Sequence, residues 1–266
     1  MGIGPGSEDY LTKRAVDVLS GVDVVVGYGT YIDLIRPLVA DKEIISTGMT
    51  QEVKRVELAV ETTLGGKSCA IVSSGDPGIY AMAGLVLETC KLKNIQVSRP
   101  DQAEFRGSGD GMLKIEIVPG IPALCAGASL LGAPLMHDFA VISLSDLLTP
   151  WKLIQRRLEA AARADFVIVL YNPKSKKRTW QLETAQQILL AHRDPGTPVG
   201  IVVSAMRAQQ SIEILPLEML HTARVNMQTT IFVGSSASGR YAEFMFTPRG
   251  YSRKYEIGKD QTTETH

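Results

Sequence analysis

Along this chain, short apolar runs alternate with segments whose apolar positions recur every three or four residues. The first pattern belongs to buried strands and the second to helices with one covered face. Leu11, Ala15, Val18, Leu19 and Val22 share one helix face, and Gly21 is placed to end that helix. Asp23-Val24-Val25-Val26 reads as a strand entering the loop Gly27-Tyr28-Gly29-Thr30-Tyr31, and Ile44-Ile45 as a short strand. Thr50 is placed to cap a helix carrying Val53, Val56, Val60 and Leu64, which Gly65-Gly66 stops. A strand through Ile71 and Val72 then breaks at Gly75-Asp76-Pro77-Gly78, and a helix of small and apolar residues is predicted from Ile79. The pattern dissolves over 94–114, where 98–102 and 106–111 read as exposed loop. It returns at Ile115-Glu116-Ile117-Val118, passes the stiff connection Pro119-Gly120-Ile121-Pro122, and enters a small-residue helix over 123–131.

The second half repeats the alternation. Strands are predicted at 139–144, 166–171, 199–203, 212–215 and 229–233. Thr149-Pro150 offers an N-cap and first residue for a helix with Trp151, Ile154, Leu158 and Ala161 buried, and a further helix is predicted over 179–192. The unbroken run Phe166-Val167-Ile168-Val169-Leu170-Tyr171 is that of a strand covered on both faces. Strand and helix alternate throughout, so the fold class is α/β. Two domains are expected, an N-terminal one over 1–118 and a C-terminal one over 119–250, followed by a polar tail over 251–266.

Composition narrows the function classes. The 266 residues are 45% hydrophobic and 21% charged with zero formal net charge, so no global charge points to nucleic acid or an anionic membrane. No apolar run reaches the roughly 18 residues of a spanning helix and no signal peptide is seen, which predicts a soluble, cytoplasmic protein. Cys69, Cys90 and Cys125 stand far apart in apolar surroundings and read as small core residues; the four histidines form no cluster, so no metal site is expected. The glycines at 2, 4 and 6 suggest a dinucleotide fold, yet the third glycine of that fingerprint would fall at Ser7, and Asp23 opens its strand where an acid should close it. No nucleophile elbow, phosphate-binding loop or kinase set is present.

The more specific signal is distributed. Gly4-Pro5-Gly6 with Asp23-Val24-Val25-Val26, then Ser74-Gly75-Asp76-Pro77-Gly78-Ile79-Tyr80, then Pro119-Gly120-Ile121-Pro122-Ala123 through Gly132-Ala133-Pro134-Leu135-Met136-His137, form three blocks. Leu170-Tyr171-Asn172-Pro173 and Thr229-Thr230-Ile231-Phe232-Val233-Gly234 form two more. Together these blocks resemble the tetrapyrrole methylases over nearly the whole chain, and Tyr171-Asn172-Pro173 with Thr247-Pro248-Arg249-Gly250-Tyr251 resembles the branch that methylates carbon 17 in cobalamin synthesis. One departure is Met206 in Ser204-Ala205-Met206-Arg207, where the family usually carries glycine at or near that position.

The resemblance implies two α/β domains of the tetrapyrrole methylase type with S-adenosylmethionine in the cleft between them. Its cofactor contacts would be Pro5, Gly75, Asp76, Ile79 and Tyr80 from the first domain, and Pro122, Ala123, Tyr171, Asn172, Ala205, Thr230 and Ile231 from the second. Asp76 also reads as a helix N-cap. The implied reaction is methylation of carbon 17 of precorrin-3B, or its cobalt form, with ring contraction to precorrin-4. A sibling activity at another carbon and a non-catalytic pigment-binding module stay open as alternatives. Tyr28, Ser74 and Asp76 are candidate bases by position alone. Lys174, Lys176, Lys177 and Arg178 form a run without acids, read either as a solvated face or as a grip on the many carboxylates of a precorrin. The family also implies a homodimer, with 131–139 and 147–151 as apolar contact segments.

Overall fold

A computed structural model describes residues 1–101, 112–255 and 257, so the loop expected over 106–111 and most of the polar tail lie outside the described residues. The chain forms two compact units, one of 1–126 with 205–208 and one of 127–204 with 209–266.

In the first unit, β1 (Val24–Tyr28) lies between β2 (Glu43–Thr47) and β3 (Cys69–Val72), and both pairings are parallel. Successive valines of β1 face opposite sides, as the two-residue period of a strand requires. Val25 joins Ile3, Leu19, Ile32, Ile35, Val39 and Val72 in one core, whereas Val24 and Val26 pack with Ala59 on the other face. Leu19 comes from α1 (Lys13–Gly21), whose N-cap Thr12 accepts from the Ala15 N–H at 3.1 Å. Ala59 comes from α2 (Glu52–Leu64), which ends at Gly65 as expected, with Gly66 at φ +91°.

Four local readings change. Thr50 does not cap α2: it sits at φ 63° with its hydroxyl on the Met49 carbonyl, and Gln51 takes the cap position while its Oε1 accepts from the Gly48 N–H at 2.9 Å. The helix expected from Ile79 is α3 (Met82–Leu92), because Tyr80 at φ 51° keeps the preceding turn open. The stretch over 94–114, where the pattern dissolves, holds a short parallel pair, Val97–Ser98 with Leu113–Lys114, so order returns before Ile115. Cys125 is exposed rather than core, while burial pushes the Cys69 thiol up to about 11.

The edge of β3 is completed by the start of the chain. Gly2 bridges Ser73 in parallel and Gly4 bridges Gly75 in antiparallel fashion, with Gly75 N–H to Gly4 C=O at 2.7 Å and the return bond at 3.2 Å. On its other side the Gly2 N–H donates to the Val118 carbonyl at 2.9 Å. Here backbones touch: a Cβ on Gly2 would lie 2.4 Å from the Gly75 carbonyl oxygen, and one on Gly120 would lie 2.3 Å from that same oxygen.

The second unit follows α4 (Ala123–Leu131), within which the division between the units falls. Its mixed sheet contains β4 (Phe139–Ser143), β5 (Val167–Tyr171), β6 (Pro198–Val203), β7 (Ser211–Pro216) and β8 (Thr229–Val233), in the order β7-β6-β8-β5-β4. Strands β4 and β5 pair in parallel; β8 runs antiparallel to both β5 and β6. The helices α5 (Trp151–Arg163) and α6 (Gln181–Leu190) bury Ile154, Leu158, Ala185 and Leu189 against Ile168, Leu170, Ile201, Ile231 and Val233. Pro150, not Thr149, holds the N-cap position of α5, so that helix begins one residue later than its sequence pattern predicts.

The glycine junction can be tested directly. Gly120→Ala forces a Cβ into backbone and should cost about 1–3 kcal/mol, the usual penalty of overpacking. Gly84→Ala, in α3 with nothing within 4 Å of its Cβ, should gain about 0.5 kcal/mol. Urea unfolding of both variants checks this; equal stability in the pair would refute the junction.

Candidate functional site

Because β1, β2 and β3 run parallel, Tyr28, Gly48 and the segment after Val72 emerge at one sheet edge. In an open parallel sheet, ligands bind outside this carboxyl edge. The loop after β3 is held rather than slack. Asp76 Oδ1 accepts from the Gly78 N–H at 2.8 Å and Oδ2 from the Gly120 N–H at 3.2 Å, so this carboxylate braces its own turn and the 119–122 connection. It does not cap the helix, which starts only at Met82.

Gly75 at φ +69° leaves a cradle beside it. A Cβ there would meet the Cα of Pro122 at 3.6 Å and the nitrogen of Ala123 at 3.8 Å, ordinary contact distances. The first unit thus brings together Pro5, Gly75, Asp76, Pro122 and Ala123, five of the predicted cofactor contacts, with Pro5 and Gly75 buried and the other three partly exposed. Ile79 and Tyr80 follow in the same loop, with Tyr80 more than half exposed. The side chains at Gly75 and Ala123 are small, so backbone groups rather than bulky side chains line this part of the loop.

Two groups at this edge were missed by the sequence reading. Arg207 donates from Nε to the Pro5 carbonyl at 2.7 Å and from Nη2 to the Ser74 hydroxyl at 2.9 Å. Gly6 at φ +146° makes room for it, since a Cβ there would stand 2.5 Å from the arginine Nε. Arg55 is only 4% exposed and donates to the Thr47 hydroxyl at 2.7 Å and the Gly48 carbonyl at 3.0 Å. Tyr31, whose ring meets Tyr28 edge-on at 5.3 Å, feels both guanidinium charges. Burial nevertheless dominates and holds its phenol above the ordinary tyrosine value. The signal for Arg207 was present as a lone cation in the Ser204 to Arg207 turn, far in sequence from Pro5 and Ser74.

In the second unit, Tyr171 ends β5 and Asn172 follows it. The ladder between β5 and β8 stops at Leu170–Ile231, one step before Tyr171 and Thr230. Asn172 turns at φ 53° and donates from Nδ2 to the Ser143 hydroxyl at 3.0 Å. Ile231 is fully buried in the unit's core, so only its backbone is available to a ligand. The basic loop closes on itself: Ser175 N–H reaches the Arg178 carbonyl at 3.0 Å, and the Arg178 guanidinium donates to the Asn172 carbonyl at 3.1 Å and the Ser145 hydroxyl at 3.3 Å. Arg178 is therefore a clamp on the loop. Lys174, Lys176 and Lys177 are exposed and make no ion pair among the described residues. Nor, among the described residues, do three histidine, cysteine or acidic side chains come together to hold a metal ion. No described helix is long and apolar enough to cross a membrane.

These loops on this α/β frame define a class. Residues 1–221 match the model of the Tetrapyrrole (Corrin/Porphyrin) Methylases, and the chain belongs to that family. It is 46% identical over 261 residues to a Priestia megaterium protein named cobalt-factor III methyltransferase, covering 98% of this chain but only 46% of that longer relative. It is 42% identical over 252 residues to a Salmonella typhimurium protein named probable cobalt-factor III C(17)-methyltransferase, covering 95% of this chain and 98% of the relative. Among solved structures, that of the methyltransferase CobJ superposes with a TM-score of 0.80 at 34% identity, covering 93% of this chain and 97% of that one.

The departure at Met206 has a conformational reading. Met206 sits at φ 58°, in the left-handed region that glycine enters freely and a side chain enters at a cost of about 1–2 kcal/mol. Met206→Gly should keep the melting temperature or raise it, while Met206→Val, β-branched at positive φ, should lower it. Thermal unfolding of the two variants checks the sign; a stable valine variant would contradict the assigned backbone.

Proposed function

We propose that this chain transfers a methyl group from S-adenosylmethionine to carbon 17 of precorrin-3B or its cobalt form, with contraction of the macrocycle. The supporting observation is identity along nearly the whole length of a relative named for that step, joined to a backbone-lined cradle at the carboxyl edge of the first sheet. When bound, the cofactor supplies an electrophilic methyl, and little acid–base assistance is needed for its transfer. The protein's share is then placement, which converts a two-body encounter into a near-attack geometry.

The chain's own residues are suited to placement. Pro5, Gly75, Asp76, Ile79, Tyr80, Pro122, Ala123 and Ala205, with Tyr171, Asn172, Thr230 and Ile231 of the second unit, are the proposed cofactor contacts. Asp76 works through the backbone it braces, since both its oxygens are engaged. Ser74 accepts a bond from a guanidinium, which lowers the basicity of its hydroxyl and makes it a poor proton acceptor. Tyr28, beside Tyr31 at the sheet edge, is the remaining candidate for the proton removal that contraction requires.

Incubation with labelled S-adenosylmethionine and cobalt-factor III under exclusion of oxygen, with the product position read by NMR, tests this. A methyl on another carbon would make the protein a sibling of the proposed enzyme, and no transfer to any precursor would sink the reading. A homodimer is proposed from the exposed Met136, Phe139, Leu147 and Leu148, the last 92% exposed. Light scattering that gives a monomer mass at all concentrations contradicts it.

The three free lysines are proposed to steer the polyanionic substrate. Lys176→Ala/Lys177→Ala should raise the substrate KM a few-fold and flatten its rise with ionic strength, with cofactor affinity unchanged. Initial rates at two salt concentrations decide; parallel salt dependence in wild type and variant retires the loop.

A further inference from the structure

Arg207 is the group at the first unit's edge whose bonding is unfinished. Two of its three nitrogens are spent on neutral oxygens, Nε on Pro5 and Nη2 on Ser74. Nη1 has no acceptor among the described residues. It is also open to an incoming group, because among the described residues the sealed side-chain atoms that lack a partner are Ser73 Oγ and Gln181 Oε1. Neither Arg207 nor the buried Arg55 meets a carboxylate among the described residues, although seven lysines and arginines elsewhere do so. The acids nearby are otherwise employed. Asp76 is bonded to two backbone N–H groups, and Glu52 lies close enough to be felt at Tyr31 but forms no ion pair with either arginine.

A half-buried guanidinium, fixed at two corners and lacking a counter-charge, is a preorganised receptor for an anion. Burial alone disfavours its charge, and a carboxylate arriving at Nη1 would restore what desolvation removes. The Cβ-free space at Gly6 lets the side chain reach this position. Every partner named lies in the first unit, with the Arg207 segment counted in it.

We propose that Arg207 binds substrate, its free Nη1 edge taking a peripheral carboxylate of the tetrapyrrole while Pro5 and Ser74 hold the fork in place. This deepens the function proposed above and rests on it. The carboxylate of the cofactor's amino-acid end has the same chemistry, so the test separates the two sources.

The experiment is an absorbance titration of cobalt-factor III onto the protein saturated with S-adenosylhomocysteine, with S-adenosylhomocysteine affinity measured separately by calorimetry. Arg207→Gln should weaken tetrapyrrole binding about 10-fold or more, the worth of one partly buried charge-assisted bond, and leave S-adenosylhomocysteine affinity within about 2-fold. Arg207→Lys keeps the charge without the fork and should fall in between. Gly6→Ala, which displaces the arginine without touching its charge, should resemble Arg207→Gln. Loss of S-adenosylhomocysteine affinity with tetrapyrrole binding intact assigns the arginine to the cofactor and overturns the proposal. Equal losses of both ligands show a purely structural pin and overturn it as well. If Arg207→Gln does not fold, Arg207→Lys carries the decision, and wild-type tetrapyrrole affinity in that variant overturns it. Wild-type protein that binds cobalt-factor III but transfers no methyl refutes the proposed function and leaves this test standing; wild-type protein that binds no tetrapyrrole refutes both.

Discussion

The architecture of the first unit depends on a place where three backbones meet without side chains. Gly2, Gly75 and Gly120 approach so closely that a methyl on Gly2 or Gly120 would enter the Gly75 carbonyl. Around this contact the start of the chain pairs with β3, and the Asp76 carboxylate ties the loop after β3 to the 119–122 connection. Such proximity satisfies polar backbone groups that would otherwise be stranded at a sheet edge. It also fixes the cradle beside Gly75 relative to Pro122 and Ala123. The geometry of the proposed cofactor surface is therefore a consequence of how the fold closes, and a change at the junction would move the site with it.

Much of this was legible because it is local. The alternating faces of Val24, Val25 and Val26, the apolar run of β5 and the stop at Gly65-Gly66 are written in neighbouring residues. What was not legible depends on partners remote in sequence. Thr50 reads as a cap by residue type, yet Gln51 takes that position and Thr50 goes to positive φ. Asp76 reads equally well as a cap, and only its bond to Gly120, 44 residues away, shows that it is a brace. Arg207 lies 202 residues from Pro5 and 133 from Ser74, a separation no periodicity reports.

The basic loop shows the same limit from the other side. Four cations in a row look equivalent in sequence. In the structure Arg178 is consumed by the Asn172 carbonyl and Ser145, and its loop is closed by Ser175, while three lysines stay in solvent. Arginine's planar fork can bridge a turn at two points, whereas a lysine ammonium is a mobile point charge. The chemical difference between the two residue types, invisible to a charge count, divides the cation that holds the loop from those left in solvent.

A comparison of three further arginines, Arg193, Arg55 and Arg207, each buried or half-buried, extends this argument. Arg193 has Asp165 at 3.2 Å and the carbonyls of Phe166, Ala162 and Gly234, so its charge is compensated and its donors are used; it locks the second unit. Arg55 has no acid, but its three nitrogens go to Thr47, Gly48 and the Met82 sulfur, so it is a structural group whose charge is left over. Arg207 has neither a counter-charge nor a full set of acceptors. Removing a charge from water costs far more than a neutral hydrogen bond returns. A fold keeps such a group at small cost only where water or a ligand can reach it. The open nitrogen of Arg207 lies at the carboxyl edge where a parallel sheet receives its ligands, and it shares that edge with the positive charge of Arg55. The imbalance of charge at this edge is the physical ground for the anionic guest proposed there.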